Sequence, residues 1–389
     1  MLNKSQRRLV TLRTIRALHP IPNADKILMA EIDGWQVVVL KDEFQVGDPA
    51  LYFEIDSFLP AKDKRFEFLT SKGTKEFGGE QGTVLKTVRL RGQISQGLAL
   101  PVPAFAAEVA EHQATGKSLD EILGIAKYEK PFDVCLAGQA YGRFPNFLPK
   151  TSLERIQNLY GNDLSEVLKQ DVFEMTLKMD GASMTIYCTK DRVGVCSHEL
   201  DWKDTGHNAF WNTAKALGLP ERLQQHAERT GEYLALQGEL VGPKIQGNPH
   251  GLPTHAFYVY GGFRLQDNGP AQALNSAELA ETWTTLNRYR GSYEPIPRVP
   301  YLGAISGKEF MDLTITEQLK LADGPGYGSK RREGLVFKAR KDPTVRFKII
   351  SNEYLLHGPS ASAPENRVKF DRGEMPPPLR ASSAIAMER

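Results

Sequence analysis

The 389-residue sequence has few cysteines, no excess charge of either sign and no long apolar run. Its three cysteines, Cys135, Cys188 and Cys196, are odd in number and lack metal-ligand spacing. That pattern argues against a disulfide framework or a structural zinc, and it fits a reduced, cytoplasmic compartment with all three as packing residues. Lysine and arginine number 49 against 47 aspartates and glutamates, a net charge of +2. No global basic field announces nucleic acid, so any such surface must be a local patch. No stretch approaches the ~20 apolar residues of a membrane-spanning helix, and no membrane partner is expected. Residues 1–8 are not backed by an apolar core, so no secretory signal is expected. Internal repeats are also lacking.

What is present is a set of short strands followed by a mixed region. The length accommodates two or three domains, each with its own core. Residues 9 to about 125 alternate apolar strands with turns at Gly34, Gly47-Asp48 and Gly92, a spacing that suggests a small barrel of OB type. Within it, Arg89 and Arg91 alternate with Val88 and Leu90, which puts cations on one face of a strand from Thr83 to Leu90. This face is a candidate for nucleic-acid backbone contact. A short helix is expected over 118–125. Pro/Gly-punctuated residues 131–149 read as a linker. Thr151 and Glu154 form a capping-box pattern for a helix opening at Lys150, with Arg155 on its face as a candidate phosphate contact. Further helices are expected over 205–217, 221–230 and 277–289, interleaved with strands. The region 150–356 therefore reads as an α+β domain of antiparallel sheets flanked by helices. Residues 357–389 are poor in large apolar side chains and read as a disordered tail.

One stretch organises the second region: Thr176-Leu177-Lys178-Met179-Asp180-Gly181. It is entered from an apolar run and left along another, as in a strand-turn-strand. Period-2 alternation puts Met175 and Leu177 on one face and Thr176 and Lys178 on the other, so Lys178 stands at a strand end facing a cleft. Gly181 permits a sharp turn and close backbone approach. Four more strand segments follow in order: Gln237-Gly-Glu239-Leu, Phe257-Tyr-Val-Tyr260, Glu333-Gly-Leu-Val-Phe-Lys338 and Arg346-Phe-Lys348.

This ordered set resembles motifs I, III, IIIa, IV and V of the covalent nucleotidyltransferases: DNA ligases, RNA ligases and mRNA capping enzymes. The resemblance implies an ATP-grasp-like ligase domain in which Lys178 attacks the α-phosphate of ATP to give lysyl-AMP. A nucleophilic amine must lose its proton, and nearby cations or burial favour that loss. Lys338, Arg346, Lys348 and a Mg²⁺ or Mn²⁺ ion are expected to supply the field. Asp180, Glu239 and Glu333 are hard oxygen donors suited to hold that ion, directly or through water. By resemblance, Lys338 and Lys348 touch the α-phosphate, Thr176 and Leu177 lie near the adenine edge, and Phe257 or Tyr258 stacks on the purine. Asp180 and Glu239 contact the ribose or organise the metal's waters. Motif V departs from the usual two lysines, with Arg346 in the first place. Where related RNA ligases carry an RNA-contacting arginine this chain has His198.

Domain order narrows the likeness. DNA ligases and capping enzymes carry their OB domain after motif V, whereas here the barrel precedes motif I and only 39 residues follow Ile350. With His19-Pro…Asp25-Lys26, Arg89-Leu-Arg-Gly-Gln-Ile-Ser-Gln-Gly97 and Lys150-Thr…Glu154-Arg-Ile-Gln-Asn158, the chain resembles the Deinococcus-type RNA ligase family. That implies a monomeric enzyme sealing 3′-OH/5′-phosphate nicks in duplex RNA or an RNA/DNA hybrid, in RNA repair. A capping-type guanylyltransferase and a non-catalytic OB-fold RNA-binding protein are the alternatives.

Overall fold

The computed structural model describes residues 7–130, 138–159, 168–266, 269–289 and 291–359. The chain divides into two compact units, one of Asn3–Phe132 with Gln157–Tyr160, the other chiefly of Asp133–Ile156 and Gly161–Arg389.

The first unit is built from β1 (Val10–Thr14), β2 (Ala17–Pro20), β3 (Ile27–Ile32), β4 (Trp35–Leu40), β5 (Pro49–Phe53), β6 (Ser57–Pro60), β7 (Lys75–Phe77), β8 (Glu80–Val84), β9 (Thr87–Leu90), β10 (Gln93–Gln96), β11 (Leu98–Pro101) and β12 (Ala126–Lys127). They pair as small antiparallel sheets, β1-β5-β11, β2-β3-β4, β9-β10 and β12-β6-β8-β7. Alternation explains the core: Trp35, Val37 and Val39 point inward along β4 while Gln36 and Val38 are only half-buried. The backbone donors of those two residues are taken up by β10 side chains. Gln36 N–H donates to Gln96 Oε1 at 3.1 Å and Val38 N–H to Ser95 Oγ at 3.0 Å, which ties the two edges together. The expected strand from Thr83 to Leu90 is split, because β8 and β9 pair with different partners. A helix over Ala106–Thr115, closed by Gly116 at φ 71°, had no clear apolar stripe in the sequence.

The second unit holds a seven-stranded and a four-stranded antiparallel sheet. The larger runs β13-β17-β16-β15-β18-β19-β20, with β13 (Ala140–Arg143), β15 (Ala182–Cys188), β16 (Val193–Cys196), β17 (Leu200–Trp202), β18 (Tyr233–Val241), β19 (Ala256–Leu265) and β20 (Gln272–Ala273). The smaller runs β21-β14-β22-β23, with β14 (Val172–Lys178), β21 (Tyr301–Ser306), β22 (Gly334–Ala339) and β23 (Arg346–Ile350). Helices Ala209–Ala216, Leu219–Thr230 and Ser276–Arg288 cover one face of the larger sheet, packing Trp211, Leu223 and Leu279 on Met184, Leu236 and Phe257. Phe210 packs against this cluster too. In the smaller sheet, Phe173, Phe337 and Phe347 stack with Phe310 as an aromatic core.

Several sequence expectations differ from this fold. Residues 138–149 are no linker: β13 is an edge strand of the larger sheet, and Phe144 and Leu148 are buried against Tyr187, Cys196 and Phe263. Thr151 caps no helix: its hydroxyl bonds Ser183 Oγ at 2.7 Å, and the described helix there begins only at Ile156. The first of the later helices starts at Ala209, capped by Asn208, and not at 205. Cys188 and Cys196 are buried free thiols. Cys135 and residues 360–389 of the expected tail lie outside the described residues.

Candidate active site

Lys178 ends β14, the strand between β21 and β22, opposite Gly334. The strand's burial alternates as expected, with Met175 and Leu177 in the core and Thr176 and Lys178 half-buried on the other face. Glycine is needed at 334 because a Cβ there would stand 2.0 Å from the Ile349 carbonyl oxygen. The residue before it, Glu333, reaches the lysine: Nζ donates to Oε2 at 2.6 Å, with the two side chains 24% and 19% exposed. Lys178, Glu333, His250, Tyr327 and Tyr354 line a shallow cleft.

Two more carboxylates crowd this pair. Asp180 follows in the turn, where its N–H donates to His250 Nε2 at 3.2 Å and its Oδ2 accepts from the Tyr354 hydroxyl. Glu239 stands in β18, in register with Ser183 of β15 and Tyr258 of β19. Gly181 is required for a different reason than a turn: a Cβ there would meet Leu240 O at 2.4 Å and Glu239 Cγ at 2.9 Å. Burial lifts the Glu239 carboxyl to about 7, with Glu333 and Asp180 adding to the lift and Lys178 opposing it. Burial alone would push the Lys178 ammonium toward its neutral form, but Glu333, Glu239 and Asp180 outweigh it and hold its pKa above the ordinary lysine value. The expected depression of this pKa counts a bound Mg²⁺ or Mn²⁺ among its causes; without one, the acids act the other way. In the ligand-free protein the nucleophile candidate is an ammonium held by acids.

The cations lie along the same sheet face in rungs. Thr176, Val336 and Lys348 share one rung, and Glu174, Lys338 and Arg346 share the next. Lys348 is therefore two residues from the Lys178 rung and Lys338 four, roughly 13 Å along the strand at about 3.3 Å per residue. Lys338, expected at the α-phosphate with Lys348, stands across from Glu174, two residues further along the strand. Burial draws both lysines down to about 8, helped at Lys348 by the charges of Lys178 and Arg155. Arg155 is not on a helix face: it bridges to Lys348 in parallel, while Lys348 N–H donates to Glu154 O at 2.9 Å.

The aromatic expectation needs correction. Phe257 is fully buried on the helix-covered face, where it packs with Leu240 and Val259. Strand alternation puts its neighbour Tyr258 on the Glu239 face, with its hydroxyl donating to that of Tyr327 at 3.0 Å. The side chain of Leu177 also faces the core, so at an adenine edge only its backbone could serve. His250, Tyr327 and Tyr354 were not singled out from the sequence, since nothing in their spacing links them to Asp180.

Toward the periphery, His198 is exposed and bonded between Ser152 Oγ at 2.8 Å and Glu199 Oε1 at 2.6 Å. Arg89 lies on β9, whereas Arg91 at φ 52° and Gly92 at φ 82° form the tight turn to β10, so the two do not share a strand face. Arg332 is structural: it donates to the carbonyls of Ala322 at 3.0 Å and Leu321 at 2.9 Å, and burial draws it down to about 10. Among the described residues no three His, Cys, Asp or Glu side chains are gathered as a metal-ligand group, so Asp180, Glu239 and Glu333 are not preassembled as direct ligands.

A strand-end lysine among carboxylates, with a rung of cations behind it and a small β unit ahead of it in the chain, defines a nucleotidyltransferase of the ligase class. Residues 171–350 match the RNA ligase family model and residues 9–102 an OB-fold domain model. Structures of Naegleria gruberi RNA ligase are similar over nearly their whole length. An apo variant and a lysine-to-alanine variant solved with ATP and Mn each show 38% identity and a TM-score of 0.70, covering 90% of this chain and 98% of that one. A further structure of the same enzyme with PPi has the same values. The chain belongs to the RNA ligase family. A comparison with curated proteins finds no match.

Proposed function

We propose that this RNA ligase uses ATP and a divalent metal to seal 3′-OH/5′-phosphate nicks in duplex RNA or RNA/DNA hybrids, through a lysyl-AMP intermediate on Lys178. The observation that carries this reading is Lys178 at the strand end, bonded to Glu333 and facing Glu239 and Asp180. In the first step Nζ sheds its proton and attacks the α-phosphorus, forming an N–P bond as the bond to the bridging oxygen breaks and pyrophosphate leaves. AMP then passes to a 5′-phosphate end, and a 3′-OH displaces it to seal the strand. The Naegleria structures with ATP and Mn and with PPi contain the reactant and the leaving group of that first step, and the one with AMP and Mn contains the nucleotide that the sealing step releases.

The three carboxylates are hard oxygen donors that fit a hard cation, and a cation's charge would counter the burial and the neighbouring Glu333 and Asp180 charges that lift the Glu239 carboxyl. Asp180, Glu239 and Glu333 would hold a Mg²⁺ or Mn²⁺ ion through water, and such an ion would supply positive charge to offset the carboxylates that keep Lys178 protonated. Lys348 and Arg155 are placed to steady charge on the transferring phosphate, Arg346 and Lys338 that on groups further along the face. Tyr258, and not Phe257, is the aromatic available to the purine. Arg89, Arg91 and His198 are assigned to RNA. The Deinococcus-type subfamily, a monomeric state, a cytoplasmic location and a role in RNA repair complete the reading. Among the described residues no helix is long and apolar enough to cross a membrane.

Incubation with α-labelled ATP or GTP and denaturing electrophoresis tests it. A labelled adduct from ATP, lost in Lys178→Ala, and sealing of a nicked RNA duplex are expected. Adduct from GTP alone would indicate a capping-type enzyme, and no adduct at all a binding protein.

A further inference from the structure

His250 is 5% exposed and sits in a tightly wound loop between β18 and β19. Lys244, Gln246 and Asn248 all have positive φ there, and the Asn248 side chain bonds both the N–H and the carbonyl of Leu252. The ring is therefore presented on a stiff support. Its two nitrogens face different elements. Nε2 accepts from Asp180 N–H at 3.2 Å, so the proton is on Nδ1, which donates to the Tyr327 carbonyl at 2.7 Å. The Tyr327 segment closes directly on the histidine: Gly328, at φ 71°, has His250 O only 2.4 Å from where a Cβ would stand. Five residues beyond Gly328 the same segment delivers Glu333 to Lys178.

We propose that His250 is a positioning residue for adenylylation, joining the turn after Lys178 to the loop before Glu333 and so fixing the spacing of the amine and its carboxylate partner. The inference rests on Lys178 being the nucleophile. Since a misplacement of about 1 Å can cost on the order of a hundredfold in rate, loss of this clamp is felt in the step that uses the amine.

The test compares His250→Ala, His250→Met and His250→Gln in the full chain. Three quantities are measured: the rate of adduct formation at saturating ATP, the KM for ATP, and sealing of a nick already carrying the 5′-adenylate. Ala and Met are expected to slow adduct formation at least about tenfold, with KM and adenylated-nick sealing each within about threefold of wild type. Gln, which keeps an acceptor and a donor, is expected to restore adduct formation to within about threefold. If Ala fails to fold, Met against Gln decides. Adduct formation unchanged in Met, all three readouts falling alike, or Gln no better than Met would overturn the proposal. A wild-type protein that forms no adduct would instead strike the nucleophile reading on which it rests.

Discussion

Replacing Glu333 by Gln tests the electrostatics at the nucleophile with two effects of opposite sign. The substitution keeps shape and an acceptor but removes the charge 2.6 Å from Lys178 Nζ. Two unit charges at that distance attract by about 6 kcal/mol at an effective dielectric near 20. Partial solvent access and the surviving Asp180 and Glu239 reduce what is lost, and a hydrogen bond to a charged group is worth about 1.5–3 kcal/mol net. With less to hold its proton, the ligand-free lysine becomes a better nucleophile toward a small electrophile. Acetic anhydride labelling at pH 8, read by mass spectrometry on the Lys178 peptide, should speed up on the order of ten- to hundredfold. Adduct formation with ATP should nevertheless fall, because the carboxylate that would bind the metal's waters is gone. Labelling that is unchanged or slower in Glu333→Gln would refute the view that acids, and not cations, govern this amine before ATP arrives.

Two further outcomes follow from the same geometry. Phe257→Ala should lower stability by about 3–5 kcal/mol through the cavity it leaves, at little cost to the KM for ATP in the protein that remains folded. Tyr258→Ala should raise that KM by at least about tenfold, and denaturant melts with nucleotide titration separate the two; the reverse assignment of effects would restore Phe257 to the purine. For Glu239 the folded carboxyl is lifted to about 7 from an ordinary 4.5. Between those values the folded chain holds a proton the unfolded chain has released, so stability falls as pH rises through this window and stays lower above it. Glu239→Gln should therefore gain thermal stability relative to wild type at pH 8 but not at pH 4, while losing adduct formation. Equal shifts at both pH values would contradict the lifted carboxyl.

Much of the site was legible because a strand's two-residue period is written in the chain. The alternation of Met175 and Leu177 with Thr176 and Lys178 sets the faces of β14, and the same rule places Arg346 and Lys348 together on β23. The small barrel preceding the lysine was legible from strand spacing, and the residues 9–102 match an OB-fold domain. Where the reading failed, phase between strands was the cause. Phe257 and Tyr258 are equally aromatic neighbours, and only the pairing of Glu239 with Tyr258 decides which shares the carboxylate's face.

The sequence by itself determined that a lysine would end a strand and that carboxylates and cations would follow it in a fixed order, because those properties are local. Tertiary structure alone decided that Glu333 bonds Lys178 across 155 residues, that Lys338 stands opposite Glu174, and that His250 and Tyr354 meet Asp180. Charge state, rung and partner depend on which strands pair and how deeply each group is buried, and neither is encoded in the spacing of residues along the chain.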